Sequence, residues 1–368
     1  MAIPAVDPHR YDEQLAEKRA FVEELFTPFS PPALEVYPSP PEQYRQRCEF
    51  RIWHDGDDLF YAMFEVNPDD PKDKKVVRLD QYAVASPRIN ELMPQLREAF
   101  LQSDTLRRRL FQVEFLTTLS GEALVTLIYH RPLDEAWERE ALELETALGI
   151  MIIGRSRKQR LVLTRDHVWE RLTVNGRTLD YQQVENSFTQ PNAHICQSML
   201  AWAQDVTANQ RARDLVELYC GNGNFTMALA GNFRQVLATE ISRTSVASAN
   251  VNVEANGIDN AVVARMSAEE FSLALKGEKS GRRVAEMALD GYDFSTVLVD
   301  PPRAGLDEQS CAQISEYERI VYISCNPATL ADNLSVLTKT HDIQRFALFD
   351  QFPFTHHCEC GVMLTRRK

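Results

Sequence analysis

The sequence predicts an α/β protein in two parts: a mixed α+β domain over residues 1–185 and a doubly wound, parallel-sheet domain over residues 186–368. Three observations predict it. The chain has 368 residues, more than the ~250–300 at which a single hydrophobic core stops growing. Up to Tyr181, apolar runs come in pairs joined by turn residues, the pattern of antiparallel hairpins. From Asn186 onward such runs alternate with helical patterns, as strand and crossover helix do in a parallel sheet.

Composition sets the outer bounds. A hydrophobic content of 44% and a charged content of 25% are those of a globular protein, and no run of ~18 apolar residues could cross a bilayer. The N-terminus has no charged region followed by an apolar stretch, so no secretory signal is expected and a cytoplasmic protein follows. Seven scattered cysteines read as reduced thiols. Cys358 and Cys360 lack the partners that a four-thiolate zinc or iron–sulfur site needs, and no metal is expected. A net charge of -13 and a pI near 5.2 argue against a broad nucleic-acid footprint.

Taken in order, Tyr11 to Phe26 sets Tyr11, Leu15, Val22, Leu25 and Phe26 on one helical face. The proline-rich Ser30–Pro41 stretch reads as a connector. A hairpin is expected from Tyr44 to Phe64 around His54–Asp58, then a charged, solvated loop over Pro68–Lys75. Ile89, Leu92, Met93, Leu96 and Phe100 form a helical stripe that Pro94 should kink or shorten. Further hairpins follow at Phe111–Tyr129, Met151–Leu163 and Leu172–Tyr181, with a helix around Trp137 between the first two. Asn175-Gly176 in the last is a type I′ turn signal. In the second part, strands are expected at Asp214–Cys220, Gln235–Ile241, Ala261–Met266, Thr296–Asp300 and Arg319–Cys325. Helices are expected at Phe225–Gly231, Arg243–Gly257 and Ala328–Leu337. Glu278–Gly291 is a charged insertion without pattern, and Arg345–Phe352 with Gly361–Thr365 closes the sheet.

Chemistry clusters where those strands end. In Arg319–Pro327 an apolar run stops at Ser324-Cys325-Asn326-Pro327. In parallel sheets ligands bind beyond the carboxyl ends of the strands, and the N-terminus of the helix that Pro327 opens should lower the pKa of Cys325. A lone cysteine is more often a small core residue, but its neighbours here reverse that reading. Glu217-Leu218-Tyr219-Cys220-Gly221-Asn222-Gly223-Asn224-Phe225 joins a strand to a helix through two glycines. It lacks the third glycine of a dinucleotide fingerprint, which disfavours nicotinamide. Glu240, some twenty residues on, ends the next strand where an acid accepts hydrogen bonds from ribose hydroxyls. Together these point to an adenosyl group. Asp300-Pro301-Pro302-Arg303 sets an acid and a rigid wall at another strand end. Glu359, in an aromatic and apolar stretch, is expected to be buried with a raised pKa, as a general base requires. His356 and His357, pointing apart on a strand, are read as packing residues.

The segments ELYCGNGNF, VDPPRAGLD, YISCNPATL and FPFTHHCECGV, in that order, resemble the S-adenosylmethionine-dependent RNA uracil-5 methyltransferase family, nearest its tRNA-modifying branch. RIWHDGDDL and QVENSFTQPN extend the resemblance over nearly the whole chain. It implies a Rossmann-like methyltransferase domain behind an N-terminal RNA-binding domain, acting as a monomer to form 5-methyluridine in the T-loop of tRNA. It further implies Cys325 as nucleophile and Glu359 as base. Gln190, Tyr219, Asn224, Glu240 and Asp300 would line the S-adenosylmethionine site, with no metal and no iron–sulfur cluster. Ribosomal-RNA relatives often carry an added β-barrel and a cysteine cluster, and their lack here favours tRNA. The rivals are the same chemistry on rRNA or another tRNA-like RNA, an RNA-folding protein with secondary methylation, and an enzyme that uses Asp300-Pro301-Pro302 to methylate an exocyclic nitrogen and has no use for Cys325.

For the RNA itself the sequence offers less. Residues 1–187 hold 24 Lys and Arg against 32 Asp and Glu, so the domain is not basic. Two local clusters stand out: Arg107-Arg108-Arg109 beside Phe111, and Arg155, Arg157, Lys158, Arg160 and Arg165. An aromatic free to stack on an unpaired base beside a small basic patch would suit a compact RNA loop.

Overall fold

The computed structural model describes residues 4–67 and 70–368. Residues 1–3, the start of the N-terminus read above, and Pro68 and Asp69, the start of the expected loop, lie outside the described residues.

The chain begins with α1 (Tyr11–Phe26) and a short strand, β1 (Glu35–Tyr37). Next come β2 (Arg47–Asp55), β3 (Asp58–Asn67), β4 (Asp70–Leu79), α2 (Pro87–Gln102), α3 (Asp104–Arg107), β5 (Leu110–Thr117), β6 (Ala123–Tyr129), α4 (Glu135–Leu148), β7 (Met151–Ser156) and β8 (Gln159–Val162). These seven strands, β2 to β8, form one sheet in the order β4-β3-β2-β5-β6-β7-β8. Only β6 and β7 run parallel, joined by α4 as crossover. The stripe from Ile89 to Phe100 and the ring of Trp137 fill its core.

Three expectations change here. The chain from Asp70 to Lys75 is strand, because β4 pairs with β3 along its length. Pro94 lies inside α2, so the helix does not start downstream of it. Ser86 caps that helix by accepting from the Ile89 amide, Pro87 sits in its first turn, and its apolar face is fully buried. Packing on that face outweighs the loss of one backbone bond. The connector over Ser30–Pro41 contains β1, which pairs in parallel with a strand more than 300 residues away.

After the hairpin β9 (His167–Val174) and β10 (Arg177–Val184) come α5 (Ala193–Val206), β11 (Asp214–Leu218), α6 (Asn224–Leu229), β12 (Val236–Glu240), α7 (Arg243–Ala255) and β13 (Ala261–Arg265). Then α8 (Ala268–Leu275), α9 (Arg282–Met287), β14 (Phe294–Val299), α10 (Glu308–Ile314), β15 (Arg319–Ser324), α11 (Pro327–Leu337), β16 (His341–Phe349) and β17 (Glu359–Arg366) complete the chain. The eight-stranded sheet runs β1-β16-β17-β15-β14-β11-β12-β13, and only β17 is antiparallel to its neighbours. Helices cover both faces. The α1, α8, α10 and α11 side shares one apolar cluster, and the α5, α6 and β9–β10 side shares another. The insertion at Glu278–Gly291 contains α9, a short helix the sequence pattern did not signal.

The boundary expected between residues 185 and 186 does not follow the packing. Val22 and Phe26 of α1 lie in the core of the eight-stranded sheet, and Leu172, Val174, Leu179 and Tyr181 of β9 and β10 pack under α5. Both segments bury apolar residues against the eight-stranded sheet, so the second core draws on residues well before position 186.

Candidate active site

Five of the predicted site positions share one edge of the eight-stranded sheet, because its parallel strands all end there. Tyr219 follows β11, Glu240 ends β12, Asp300 follows β14 and Cys325 follows β15. Antiparallel β17 starts at the same edge with Glu359. Ser324 pairs with Cys360, so the next step of the ladder sets Cys325 beside Glu359. The strand order reverses between β12-β11 and β14-β15, the switch point where such sheets bind ligands. A cleft of about 2170 Å³ opens there, and Gln190, Tyr219, Asn224, Glu240, Asp300, Cys325 and Glu359 all line it.

The glycine loop shapes the adenosyl end. Tyr219, Gly221 and Gly223 all have positive φ, and a Cβ at Gly223 would meet the Met227 methyl at 2.5 Å. Glu240 braces the loop by accepting from the Gly221 and Ser242 amides. Below it, burial lifts Glu217 to about 8, and its carboxyl accepts from the Thr226 hydroxyl. The Cys196 thiol donates to Asn224 Oδ1, while Asn224 Nδ2 is a buried donor without a partner. A spare donor, a strand-end acid and a glycine-lined backbone fit the amino-acid and ribose groups of S-adenosylmethionine.

At the chemical end, burial and the neighbouring Asp300 push Glu359 well above the ordinary carboxylate range. Asp300 itself rises to about 7 through burial. The two carboxyls cannot readily ionise together. The thiol departs from expectation: burial first, then Glu359 and Asp300, lift Cys325 to about 11. The start of α11 lies next to it, capped by Asn326, which accepts from the Ala328 amide and donates to the Arg303 carbonyl. That partial positive charge is outweighed by two carboxyls and lost solvent.

The segment Asp350–Cys358 leading to Glu359 is held from the far end of the chain. Lys18 Nζ donates to Asp350 Oδ1 at 2.7 Å and to the Phe352 carbonyl at 2.8 Å. Gln14 binds Asp350 and the Phe354 amide, and Tyr44 donates to the Pro353 carbonyl. Sequence reasoning missed Lys18. Its one signal was a lysine on the apolar face of α1, one turn before Val22, and it is buried there. His356 and His357 lie in irregular chain before β17 with ring centroids 4.2 Å apart, so they do not point apart on a strand. Burial, then His356, lowers the pKa of His357. Among the described residues no group of three or more His, Cys, Asp or Glu could hold a metal.

The basic clusters are less free than they read. Arg155 makes a bidentate pair with Glu185 at 2.6 and 2.7 Å, Arg160 pairs with Glu185 and Asp166, and Arg165 pairs with Glu122. Burial alone would raise Glu185, but the two guanidiniums hold it below its ordinary value. Arg157, Lys158 and Arg160 are exposed, the first two at the tip of the β7–β8 turn. Phe111 is covered on both faces, by the His130 ring at 3.9 Å and the Arg51 guanidinium at 3.8 Å. It has no open face for a base.

The strand order and the cleft at its switch point are those of a Rossmann-like, S-adenosylmethionine-dependent methyltransferase, and the thiol and carboxylate that line the cleft suit a pyrimidine ring. Residues 10–367 match the family described as tRNA (Uracil-5-)-methyltransferase, and the chain belongs to that family. A tRNA/tmRNA (uracil-C(5))-methyltransferase from Chromohalobacter salexigens is 74% identical over 367 residues, 100% of this chain and 98% of that protein. One from Stutzerimonas stutzeri is 55% identical over 368 residues, 100% of both. The solved Pyrococcus abyssi tRNA (uracil-54, C5)-methyltransferase with S-adenosyl-L-homocysteine shares the fold. Its TM-score is 0.68 at 23% identity, over 96% of this chain and 83% of that one. No helix among the described residues is long and apolar enough to cross a membrane.

Proposed function

We propose that this enzyme methylates carbon 5 of a uridine in the T-loop of tRNA, with Cys325 as the nucleophile and Glu359 as the base. The observation that carries the reading is the β15–β17 register, which sets a thiol beside a buried carboxylate at the mouth of an adenosyl pocket. Carbon 5 of uracil is a weak nucleophile until the Cys325 thiolate adds to carbon 6 and pushes electron density onto it. Bound S-adenosylmethionine supplies an electrophilic methyl group. Glu359 then takes the proton from carbon 5, and the thiolate leaves as the double bond reforms.

Gln190, Tyr219, Asn224 and Glu240 hold the methyl donor, and Asp300 stands between donor and base. The tRNA and tmRNA named for the relatives support the substrate class. The enzyme acts as a monomer in the cytoplasm. The test incubates it with unmodified total RNA and methyl-labelled S-adenosylmethionine and maps the label by mass spectrometry. Label on a T-loop uridine is expected. Label confined to rRNA, or to another arm of tRNA, overturns the proposal.

A further inference from the structure

We propose that Gln351 is a positioning residue that fixes which end of the Gln190 amide faces Asp300, an assignment that rests on the methyl-donor site read above. Gln351 follows β16, is 1% exposed, and does not line the cleft. Its Nε2 donates to Gln190 Oε1 at 2.6 Å, and Gln190 Nε2 in turn donates to Asp300 Oδ2 at 3.4 Å. When Asp300 is ionised its carboxylate only accepts, so Gln190 then turns its N–H₂ toward Asp300 and its carbonyl away. That carbonyl then needs a donor behind it, which Gln351 supplies.

Gln351 gains little else from its amide. Its Oε1 is buried with no partner, a cost that a leucine or methionine of similar size would avoid. Its backbone is fixed independently, by its own amide donating to the Phe349 carbonyl and by Asn192 Nδ2 donating to its carbonyl. The side chain is therefore held at a set place with one productive contact, and that contact determines the orientation of Gln190.

The consequence falls on the charge of Asp300. Groups facing it are Glu359 on β17, Cys325 and Tyr322 on or just after β15, Glu217 on β11 and Cys196 on α5. When ionised, every one of these is negative and opposes the Asp300 carboxylate. The Gln190 N–H₂ donates to that carboxylate and favours its charged form.

The experiment compares Gln351→Met, Gln351→Glu, Gln190→Met and the Gln190→Met/Gln351→Met double variant. KM for S-adenosylmethionine, kcat against pH and the thermal midpoint are measured for each. Gln351→Met should raise that KM roughly five- to tenfold, the worth of one oriented hydrogen bond. Gln351→Glu presents only an acceptor, so Gln190 must turn its carbonyl to Asp300. The acid limb of the kcat profile should then move to higher pH, because Asp300 loses its donor. The double variant should be no worse than Gln190→Met alone. Additive losses, or an unmoved acid limb with only a lowered thermal midpoint, would reduce Gln351 to packing and overturn the proposal. A Gln190→Met enzyme with wild-type KM would instead overturn the donor-site reading, and the positioning role with it.

Discussion

The edge of the eight-stranded sheet and the basic turn of the seven-stranded sheet looked alike in the sequence, each a short cluster of reactive or charged residues at the end of a strand. In the structure they part ways. At the first, every strand-end motif keeps its neighbours, because a parallel sheet brings its carboxyl ends together whatever fills the loops between them. At the second, Arg155, Arg160 and Arg165 are matched by Glu185, Asp166 and Glu122. Position along a strand survives folding; the freedom of a charge does not, since its partner can come from anywhere in the chain.

The comparison is sharpened most by Cys325→Ala. It should abolish methyl transfer while S-adenosylmethionine affinity by calorimetry stays near wild type, because the residues proposed to hold the methyl donor lie outside β15. Turnover above a trace would remove the thiol from the chemistry. Glu359→Gln comes next, with a loss of roughly 100- to 10,000-fold. If Glu359 acts after methyl transfer, this variant should accumulate a protein–RNA adduct carrying the new methyl group, seen as a slow labelled band on a denaturing gel. An inactive variant without adduct would place Glu359 earlier.

Lys18→Met tests how far the N-terminal helix belongs to the catalytic edge. Leaving Asp350 buried without its cation should cost about 3–5 kcal/mol of stability, read by urea unfolding, and Lys18→Met/Asp350→Asn should recover part of it. A cost below about 1 kcal/mol would mean α1 is only an external strut. Glu240→Ala should weaken S-adenosylmethionine binding by roughly 1.5–3 kcal/mol, the value of charge-assisted hydrogen bonds, and unchanged affinity would move the ribose elsewhere.

The smallest effect belongs to the basic turn and would break the comparison if it were large. Reversing Arg157 and Lys158 together should flatten the salt dependence of RNA binding by no more than about two phosphate contacts. Reversing Arg155 and Arg160 should act on stability instead, by exposing Glu185 to like charge. Equal effects of the two pairs on the salt slope would show that the ion pairs open when RNA binds.

Some of this was legible from residues alone. The paired runs and the alternation after Asn186 announced two sheets, and the endings at Glu240, Asp300, Cys325 and Glu359 announced a site, since a strand and its exit are local in sequence. Burial of Glu359 followed from its apolar neighbours. The charged stretch at Asp70–Lys75 could not be read as strand, because what makes it one is the ladder to β3.

What the sequence determined by itself was therefore most of the strands and helices of the second part, the residues at their ends and the family. The tertiary structure decided the rest, each time through long-range contact. It drew α1 and β1 from the N-terminus into the C-terminal sheet and set Lys18 under the loop before Glu359. It closed both faces of Phe111. It also raised Cys325 where a helix N-terminus alone would have lowered it. The physical reason is common to all of these: desolvation and ion pairing depend on which groups become neighbours in space, and a local pattern of residues carries no record of that.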